Sequence, residues 1–534
     1  MGTLDYIWSG ILAVFLGPEL FSLFGLPISE TLAMVFCGFF LGIAVGATPG
    51  LAGPVAMAIS LPILISIFGY TPDALLPVMG FLIGVMKGAT IGGAVPAILF
   101  NTPGTPDAFM TTLDGYPMTQ KGQAKKALRV AHLSSVSGDT FSDIVLIVCA
   151  PFLALLVESY LDLPEKTALL ILSLSFIAAV VGGSPAKGLI STGLGLLVAY
   201  IATGEDFYPR LSLGTSELAQ GIPLAGAVLG VLIVGAVFKE MVGSWQKRRQ
   251  SGALEATRDS GEQTLHWSDV RRLLPYIGRS AVVGTAIGAL PGIGSTLAAT
   301  IGYTVGRARY QKTKADSDPE FGEGAPEGIA ATEAANSSVS GANLIPVLSL
   351  GIPGNAAAVF LILAADSIGG FNPGPSVFRF TQDVVNPELV IAFGLFTTMF
   401  IANLLNWTIG GVFMRSMGVM TRIPKQILLP TVLLLTLTAI YVQETRMEAI
   451  WFTLAFGVLG FGMRLVAMSP LPFVIAFILG GRLEESARQA FAATGGDAYF
   501  LFTNPIAALF ILLSVAVIVL GARNARASRA EPQR

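Results

Sequence analysis

Charged residues are scarce in this chain. Of its 534 residues, only 12% are Asp, Glu, Lys or Arg, whereas 53% are hydrophobic and the mean hydropathy is +0.71. Soluble domains carry about 25% charged residues, so the composition argues against a soluble enzyme, a fibrous chain and a disordered chain. A polytopic membrane protein fits, because at ~20 residues per span the chain has room for about a dozen spans.

Cysteine and histidine are almost absent, with two of each. Cys37 and Cys149 lie in apolar runs and are expected to be free thiols. Together with His132 and His266 they match no recognised metal spacing, so no metal site is predicted. No phosphate-binding Gly-x-x-x-x-Gly-Lys-Ser/Thr motif and no catalytic triad occur, so neither ATP-driven transport nor enzymatic activity is expected. The net charge of −2 argues against a nucleic-acid partner.

Positive charge is missing from the first 86 residues, which contain no Lys or Arg, so no cleavable signal peptide is expected. Lys and Arg instead concentrate in three stretches that are predicted to be cytoplasmic. These are 118–130, 239–279 and 521–534. Loops that are acidic or nearly free of positive charge are predicted to face outside, namely 69–74, 158–166, 203–209 and 366–388. Arg482 and Arg488, in a predicted outer loop at 482–499, are the exception.

Apolar runs follow one another along most of the chain, and several are short or broken by Gly and Pro, which favours hairpins or half-helices. They cover 29–47, 53–68, 75–100, 131–157, 167–182, 186–202, 219–238, 280–290, 293–306, 336–352, 355–367, 387–414, 426–442, 447–463, 466–481 and 503–522. Segments 5–24 and 265–278 are predicted to be amphipathic helices at the membrane interface. The alternative for 5–24 is a full first span.

Two motifs recur in the second half of the chain. Gly42-Ile-Ala-Val-Gly-Ala-Thr-Pro-Gly50 resembles Gly284-Thr-Ala-Ile-Gly-Ala-Leu-Pro-Gly292, 242 residues later. Pro96-Ala-Ile-Leu-Phe-Asn-Thr-Pro-Gly104 resembles Pro346-Val-Leu-Ser-Leu-Gly-Ile-Pro-Gly354, 250 residues later. Two ordered matches at nearly constant spacing indicate a duplicated structural unit.

The charge pattern predicts that the two copies are inverted across the membrane, since the first begins outside and the second begins behind a basic cytoplasmic linker. Inverted repeats with broken helices are a transporter architecture. The predicted fold is therefore an all-α polytopic membrane protein with two inverted-topology repeats and broken helices or hairpins at Pro-Gly motifs. The predicted organisation is a first transmembrane repeat at 1–238, a basic cytoplasmic linker with an interfacial helix at 239–279, a second repeat at 280–522, and a basic cytoplasmic tail at 523–534.

Four Pro-Gly breaks interrupt the apolar segments. In a bilayer the backbone groups freed at such a break need partners. A helix that begins after the break directs its N-terminal amides at a carboxylate, while freed carbonyls suit Na⁺. The alternative is four ordinary kinks. Polar residues near the second break of each half can bind a carboxylate or a cation, or simply bond between helices.

Segment 321–343 is rich in small and polar residues and has no Lys or Arg. Glu333 lies three residues before Asn336, so one helix face holds both, and an apolar run follows directly. An ionisable group near the membrane core is a functional candidate by default, whereas the alternative is a capped helix start at the surface. Glu323 and Glu327 are weaker candidates. Lys87, inside the run 75–100, is expected to snorkel, to pair with an acid or to attract an anion.

These motifs resemble those of the large membrane subunit of the tripartite tricarboxylate transporters, the TctA-type permeases, over about residues 20–440. The paired Pro-Gly signatures, Leu113-Asp-Gly-Tyr-Pro-Met118 and Asn372-Pro-Gly-Pro375 are similar to those of that family. The most specific similarity is Phe321-Gly-Glu-Gly with Glu327-Gly and Glu333-Ala-Ala-Asn336. The sequence departs from the family pattern at Ala52, Thr332 and Ser337.

The resemblance implies a secondary transporter of the bacterial inner membrane, with a cytoplasmic C-terminus, that imports citrate or other di- or tricarboxylates with Na⁺ or H⁺. It also implies a small four-span membrane subunit and a periplasmic substrate-binding protein as partners, with no cofactor beyond a coupling Na⁺. The alternative is a passive channel or a membrane scaffold. The predicted carboxylate site comprises Thr48, Pro49, Gly50, Asn101, Thr102, Pro103, Gly104, Thr105, Pro291, Gly292, Pro353, Gly354 and Asn355. The predicted ion site comprises Glu333, Asn336, Asn343 and Ser349.

Overall fold

The protein is helical along nearly all of the described chain, with one short β-hairpin near its start. The structure, a computed structural model, describes residues 3–23, 25–48, 51–181, 184–202, 210, 221–247, 264–314, 318–380, 385–417 and 425–530. Pro49 and Gly50 of the predicted carboxylate site lie outside these residues. So do residues 248–263 of the predicted linker and 531–534 of the predicted tail.

In the first half of the chain the elements are α1 Thr3–Phe15, β1 Glu19–Leu23, β2 Leu26–Ser29, α2 Glu30–Gly46, α3 Gly53–Phe68, α4 Leu75–Gly92, α5 Ala94–Phe100, α6 Phe109–Gln120, α7 Ala124–Tyr160, α8 Leu163–Val180, α9 Pro185–Ala202, α10 Leu224–Leu229 and α11 Gly235–Lys247. A π-helical turn, Gly230–Val234, joins α10 to α11.

In the second half they are α12 Trp267–Gly288, α13 Gly294–Thr313, α14 Pro326–Ala342, α15 Leu344–Leu350, α16 Ala356–Ile368, α17 Pro387–Leu405, α18 Gly411–Ser416, α19 Lys425–Glu444, α20 Met447–Leu465, α21 Leu471–Ala493, α22 Phe500–Thr503 and α23 Pro505–Ala530. A second π-helical turn, Asn406–Gly410, joins α17 to α18.

Nine of the helices in the described part of the chain are long and apolar enough to cross a membrane. They are Pro72–Phe100, Ala124–Tyr160, Leu163–Val180, Pro185–Ala202, Leu224–Gly243, Pro387–Ser416, Gln426–Glu444, Met447–Leu465 and Pro505–Arg523. The protein is therefore an all-α polytopic membrane protein, which confirms the predicted fold class.

The chain folds into two compact units, each drawing on both halves of the sequence. The first unit comprises Met1–Ala154, Gln250–Leu290 and Gly294–Pro424. The second comprises Leu155–Arg249, Pro291–Ile293 and Lys425–Arg534. The predicted boundaries at 279/280 and 522/523 both fall inside helices, α12 and α23, whereas the unit boundaries follow three-dimensional packing.

Helices α2 and α4 of the first unit lie in backbone contact. A Cβ on Gly42 would overlap the carbonyl oxygen of Val85, and one on Gly88 would overlap that of Phe39. Small residues four apart allow this close approach, which replaces the hydrophobic effect as the packing force inside a membrane.

Helix α14 is the most enclosed element of the first unit, with every residue from Glu327 to Ala342 buried. Gly284 of α12 and Gly302 of α13 let those two helices contact its backbone, while Gly138 of α7 does the same from another side. Small residues make α14 thin enough to be surrounded. Its polar side chains therefore face protein on all sides.

Three of the predicted segments are wrong in extent. α1 ends at Phe15 because Gly17 and Pro18 follow, and Glu19–Leu23 and Leu26–Ser29 then pair as the hairpin, so 5–24 is neither one interfacial helix nor a span. Segment 265–278 is the first part of α12, which continues to Gly288. The predicted loop 118–130 shrinks to the turn at 121–123, since α6 ends at Gln120 and α7 begins at Ala124.

The predicted outer loop 482–499 is also wrong, because α21 continues to Ala493. Glu484, on this extension, accepts hydrogen bonds from Arg210 and lies 2.8 Å from the guanidinium of Arg488. The hydrogen bonds from Arg210 hold the pKa of Glu484 below its ordinary value. Arg488, one of the two awkward positive charges, thus neutralises an acid on the next turn of its own helix.

Candidate functional site

The two halves share an order of elements around their breaks. In each, a helix that precedes the first break (α2, α12) is followed by another (α3, α13), then by a long buried helix (α4, α14) and a seven-residue helix (α5, α15). The seven-residue helices end in a left-handed residue, Asn101 with φ of 52° and Gly351 with φ of 72°. A left-handed C-cap followed by proline ends a helix sharply, which accounts for the repeated motif. Inversion of the two halves across the membrane stays a prediction.

The second break of the first half packs on the end of α2. A Cβ on Gly104 would overlap the carbonyl oxygen of Gly46. Thr48, two residues on, is buried and donates its hydroxyl to the Ala44 carbonyl at 2.9 Å, and Thr105 is buried as well. The structure thus brings Thr48, Gly104 and Thr105 into one region. The side chains of Asn101 and Thr102 are exposed, and Pro103 is half-buried.

The second break of the other half is more enclosed. Pro353 and Gly354 are buried. Asn355 caps α16, since its side-chain oxygen accepts from the Ala358 amide at 2.8 Å. Ser349 is buried and donates its hydroxyl to the Ile345 carbonyl, so only its lone pairs are available to an ion.

Pro291 and Gly292 belong to the second unit. Gly292 has φ of +86°, and a Cβ there would lie 2.8 Å from the side chain of Ile177 on α8. Only glycine combines this backbone conformation with so close a contact. The predicted carboxylate residues are therefore divided between the two units.

Glu333 is the central acid of α14 and has no exposed surface. One carboxylate oxygen accepts from the hydroxyl of Thr111 on α6, and the other accepts from that of Ser135 on α7 at 2.8 Å. No Lys or Arg among the described residues forms an ion pair with it. Neutral hydroxyls alone offset little of the desolvation cost of a buried carboxylate, so this group needs a cation or a proton.

The other predicted ion-site residues are buried near the same helix. Asn336 lies one turn beyond Glu333 and is 3% exposed. Asn343, at the junction of α14 and α15, is 1% exposed, and neither its amide nitrogen nor its amide oxygen has a hydrogen-bond partner in the described structure. Both atoms of this amide are therefore available to bind a ligand.

Sequence analysis missed the acids that pair with Lys87. Its Nζ lies 2.8 Å from Oδ1 of Asp139 and 2.7 Å from Oδ2 of Asp143, both on α7. Of the three expectations for Lys87, pairing with an acid is confirmed. The signal was present in the sequence, because Asp139 and Asp143 are four residues apart inside the apolar run 131–157 and so share a helix face.

A second missed residue, Asp114, joins two of the sequence motifs. Its Oδ1 accepts from the backbone amides of Gly322, Gly324 and Ala325 at 2.8–3.0 Å. Gly322 and Gly324 have φ of +97° and +100°, which turns these amides toward one point. The motif 113–118 thereby fixes the loop that leads into α14.

Charged residues surround a cavity of about 420 Å³ beside this loop. Arg272 of α12 contacts Asp318 and the buried Glu327, while Lys126 of α7 lies 3.1 Å from Asp269. Glu327 is thus paired with a cation, unlike Glu333. The described residues contain no group of three or more His, Cys, Asp or Glu side chains suited to a metal ion.

Comparison with known proteins matches these features to one family. The model of the tripartite tricarboxylate transporter TctA family matches residues 32–475. An uncharacterized 52.8 kDa protein in the TAR-I ttuC' 3' region of Agrobacterium vitis is 31% identical over 497 residues, 91% of this chain and 92% of that protein. An uncharacterized protein in the TAR-II ttuC' 3' region of the same organism is 32% identical over 241 residues, 44% of this chain and 93% of that protein. The chain therefore belongs to the TctA family of tripartite tricarboxylate transporters.

Proposed function

We propose that this protein is the permease subunit of a secondary transporter that imports di- or tricarboxylate anions, citrate among them, together with Na⁺ or H⁺. It works with a periplasmic substrate-binding protein and a small four-span membrane subunit in the bacterial inner membrane. Its family is a family of transporters and not of enzymes.

The unpaired burial of Glu333 is the observation that carries the proposal. The carboxylate accepts two hydroxyl hydrogen bonds and meets no positive side chain in the described structure. A carboxylate costs several kcal/mol to bury uncompensated, so the site favours binding a cation from solution. A transporter that must load a cation before it moves uses such a group to couple the two events.

The carboxylate site is proposed at the breaks of the first unit. Near the end of α2, Thr48, Gly104 and Thr105 are buried together, and the enclosed break at 353–354 leads into α16. The N-terminus of α16, just after Gly354, supplies backbone amides that suit an anionic oxygen. Asn343, with both amide atoms unpartnered, supplies the polar contact that a carboxylate or its ion requires.

Uptake of radiolabelled citrate into proteoliposomes tests the proposal. The chain is reconstituted with the small membrane subunit, the binding protein is added outside, and Na⁺ and pH gradients are imposed separately. We expect uptake only with a gradient, and at least a tenfold loss in Glu333→Gln, because the amide keeps the volume but not the charge. Glu448→Gln, at the half-exposed start of α20, is the matched control and should transport like the parent.

Two results would contradict this function. Uptake that proceeds at the same rate without any gradient would indicate a passive channel. Full gradient-driven uptake by Glu333→Gln would agree with a secondary transporter but would exclude Glu333 as the group that couples the ion to the substrate.

A further inference from the structure

The cluster around Lys87 is a separate group of polar side chains deep in the first unit. Lys87 comes from α4, Asp139 and Asp143 from α7, Ser340 from α14 and Asn403 from α17. The two aspartate side chains are 5% and 6% exposed, and that of Lys87 is fully buried. Ser340 donates its hydroxyl to Asp139, and Asn403 donates its amide to Asp143 Oδ2 at 2.7 Å.

The charges of this cluster do not balance. Two carboxylates face one ammonium group, and the remaining partners, Ser340 and Asn403, are neutral. Lys87 is the only charged residue of α4, α17 has only Glu388 at its start, and α14 has Glu327, which pairs with Arg272, and Glu333. With both aspartates ionised the cluster would hold a net charge of −1 in a buried interior, which is strongly unfavourable.

Two oxygens of the cluster lack hydrogen-bond partners among the described residues, one on Asp143 and one on Asn403. The Asn403 amide nitrogen already donates to Oδ2 of Asp143. Oδ1 of Asp143 and Oδ1 of Asn403 are buried, and neither has a hydrogen-bond partner in the described part of the chain. A carboxylic acid and a primary amide join through two such bonds, N–H to O and O–H to O. One proton on Asp143 Oδ1, donated to Asn403 Oδ1, would complete the second bond and bring the cluster to neutrality.

The geometry favours a proton over a metal cation. The position between the two carboxylates, where Na⁺ would sit, is filled by the ammonium group of Lys87 at 2.7–2.8 Å. Oδ1 of Asp143 lies against the backbone of α14 at Gly341, where an added Cβ would overlap it. No side chain fits there, and a proton needs no further space.

The cluster lies along the same helix pair as Glu333. Ser135 of α7 meets Glu333 of α14, and eight residues farther along each helix Asp143 meets Gly341, so both pairs are 198 residues apart in sequence. The helices therefore run in the same direction, and eight residues span about 12 Å.

We propose that Asp143 and Asn403 hold an exchangeable proton, which makes the Lys87 cluster a second cation site of this protein, specific for H⁺ and distinct from Glu333. The use of this proton in transport rests on the function proposed above, but its presence does not. Release of the proton leaves the α4–α7–α14–α17 junction with an unbalanced charge.

Infrared spectroscopy of the purified full-length protein in lipid nanodiscs tests the site without transport. A protonated buried carboxyl group gives a carbonyl stretch that ionised carboxylates lack. Spectra are taken at neutral pH in a Glu333→Gln background, so that Glu333 contributes nothing. We expect Asp143→Asn to lose one such band, because its amide replaces the protonated acid, and Glu448→Gln to retain it.

Lys87→Met provides a second, independent measure of how many carboxyl groups in the cluster are protonated. Without the ammonium group both aspartates must be neutral, so we expect one additional protonated carboxyl band. Asn403→Leu removes the acceptor of the proton, and we expect the Asp143 band to move in frequency. A band unchanged in Asp143→Asn, no gain in Lys87→Met, or an unmoved band in Asn403→Leu would each overturn the proposal.

Thermal unfolding measured as a function of pH gives a further test that does not depend on the intensity of an infrared band. In the Glu333→Gln background, the protein should lose stability at alkaline pH, when the proton leaves, whereas the further substitution Asp143→Asn should prevent this loss, because Lys87 and Asp139 then balance. Equal alkaline loss in both proteins would overturn the proposal. Citrate uptake that fails in every preparation would contradict the proposed function and leave these results untouched.

Discussion

At the scale of single residues, buried acids differ in what compensates them. Asp114 is offset by three backbone amides and Glu327 by Arg272, while Asp139 and Asp143 share Lys87. Glu333 has only the hydroxyls of Thr111 and Ser135. The degree of compensation separates acids that hold the structure together from acids that can exchange a ligand.

Asp114 is expected to be structural. Asp114→Ala leaves the amides of Gly322, Gly324 and Ala325 without their acceptor, and hydrogen bonds to a charged group contribute about 1.5–3 kcal/mol each. We expect a fall of several degrees in the apparent melting temperature of the detergent-solubilised protein. Asp114→Asn retains an acceptor oxygen and should lose less.

The matched control is Asp73→Ala, an exposed acid in the turn before α4. Its melting temperature should equal that of the parent. Equal melting temperatures for Asp114→Ala and Asp73→Ala would show that the loop leading into α14 is held by other contacts.

The sequence identified Glu333 as a candidate, but it did not reveal which groups surround its buried carboxylate. A single acid before an apolar run stands out, and its burial was predicted. Asp139 and Asp143 are not among the predicted site residues, and their partners Ser340 and Asn403 are 201 and 260 residues away. Periodicity reports which face a residue occupies, and it carries no information about which distant helix meets that face.

At the scale of elements, close backbone contact between helices α2 and α4 is the clearest determinant of packing. Gly42→Ala places a methyl group against the backbone of Val85 and Ala89. Because that backbone cannot move independently of α4, we expect destabilisation of about 1–3 kcal/mol. The measurement is the apparent melting temperature by fluorescence-detected size-exclusion chromatography.

Gly193→Ala is the control for this substitution. It makes the same change in a candidate membrane helix, α9, where no atom of the described residues lies within 4 Å of the new methyl group, apart from the adjacent residues and the backbone of α9 itself. Its melting temperature should be unchanged or slightly raised, since alanine favours helix. If both variants melt like the parent, the glycines of α2 do not set the helix spacing.

The bounds of several apolar elements followed from the sequence. The runs 53–68, 186–202 and 355–367 agree with α3, α9 and α16 to within a residue. The errors occur where helices continue through polar residues, as in α12 and α21. An α-helix satisfies its own backbone whether or not it is apolar, so polarity marks where a helix leaves the apolar core and not where it ends.

At the scale of the whole molecule, the predicted inversion of the two halves places two exposed positions on opposite sides of the membrane. Tyr70, after α3, should face the periplasm, and Ser268, at the start of α12, should face the cytoplasm. Both are exposed. In a background with Cys37 and Cys149 replaced by Ala, a membrane-impermeant maleimide should label Tyr70→Cys in intact spheroplasts and Ser268→Cys only after permeabilisation.

An epitope at the C-terminus serves as the internal control, since the basic tail is predicted to be cytoplasmic. Labelling of both cysteines from the same side would contradict inverted repeats. The order of elements that the two halves share in the structure would then be explained by duplication without inversion.

The membrane class was predictable from composition alone, whereas the division into units was not. Each unit combines segments from both halves of the chain, and residues 291–293 leave the first unit for three positions only. The sequence predicts domain boundaries at charge-rich stretches, but the division into compact units depends on contacts between segments hundreds of residues apart.

The wide sequence separation within the Lys87 cluster has a consequence for biogenesis. When the ribosome has made α4 and α7, Lys87 can already neutralise one aspartate, but Ser340 and Asn403 are still untranslated. Until α17 is inserted, the nascent protein carries an incompletely solvated acid in the bilayer. The first unit is therefore complete only once α17 is inserted, and we expect a chain truncated before residue 403 to be degraded by membrane quality-control proteases.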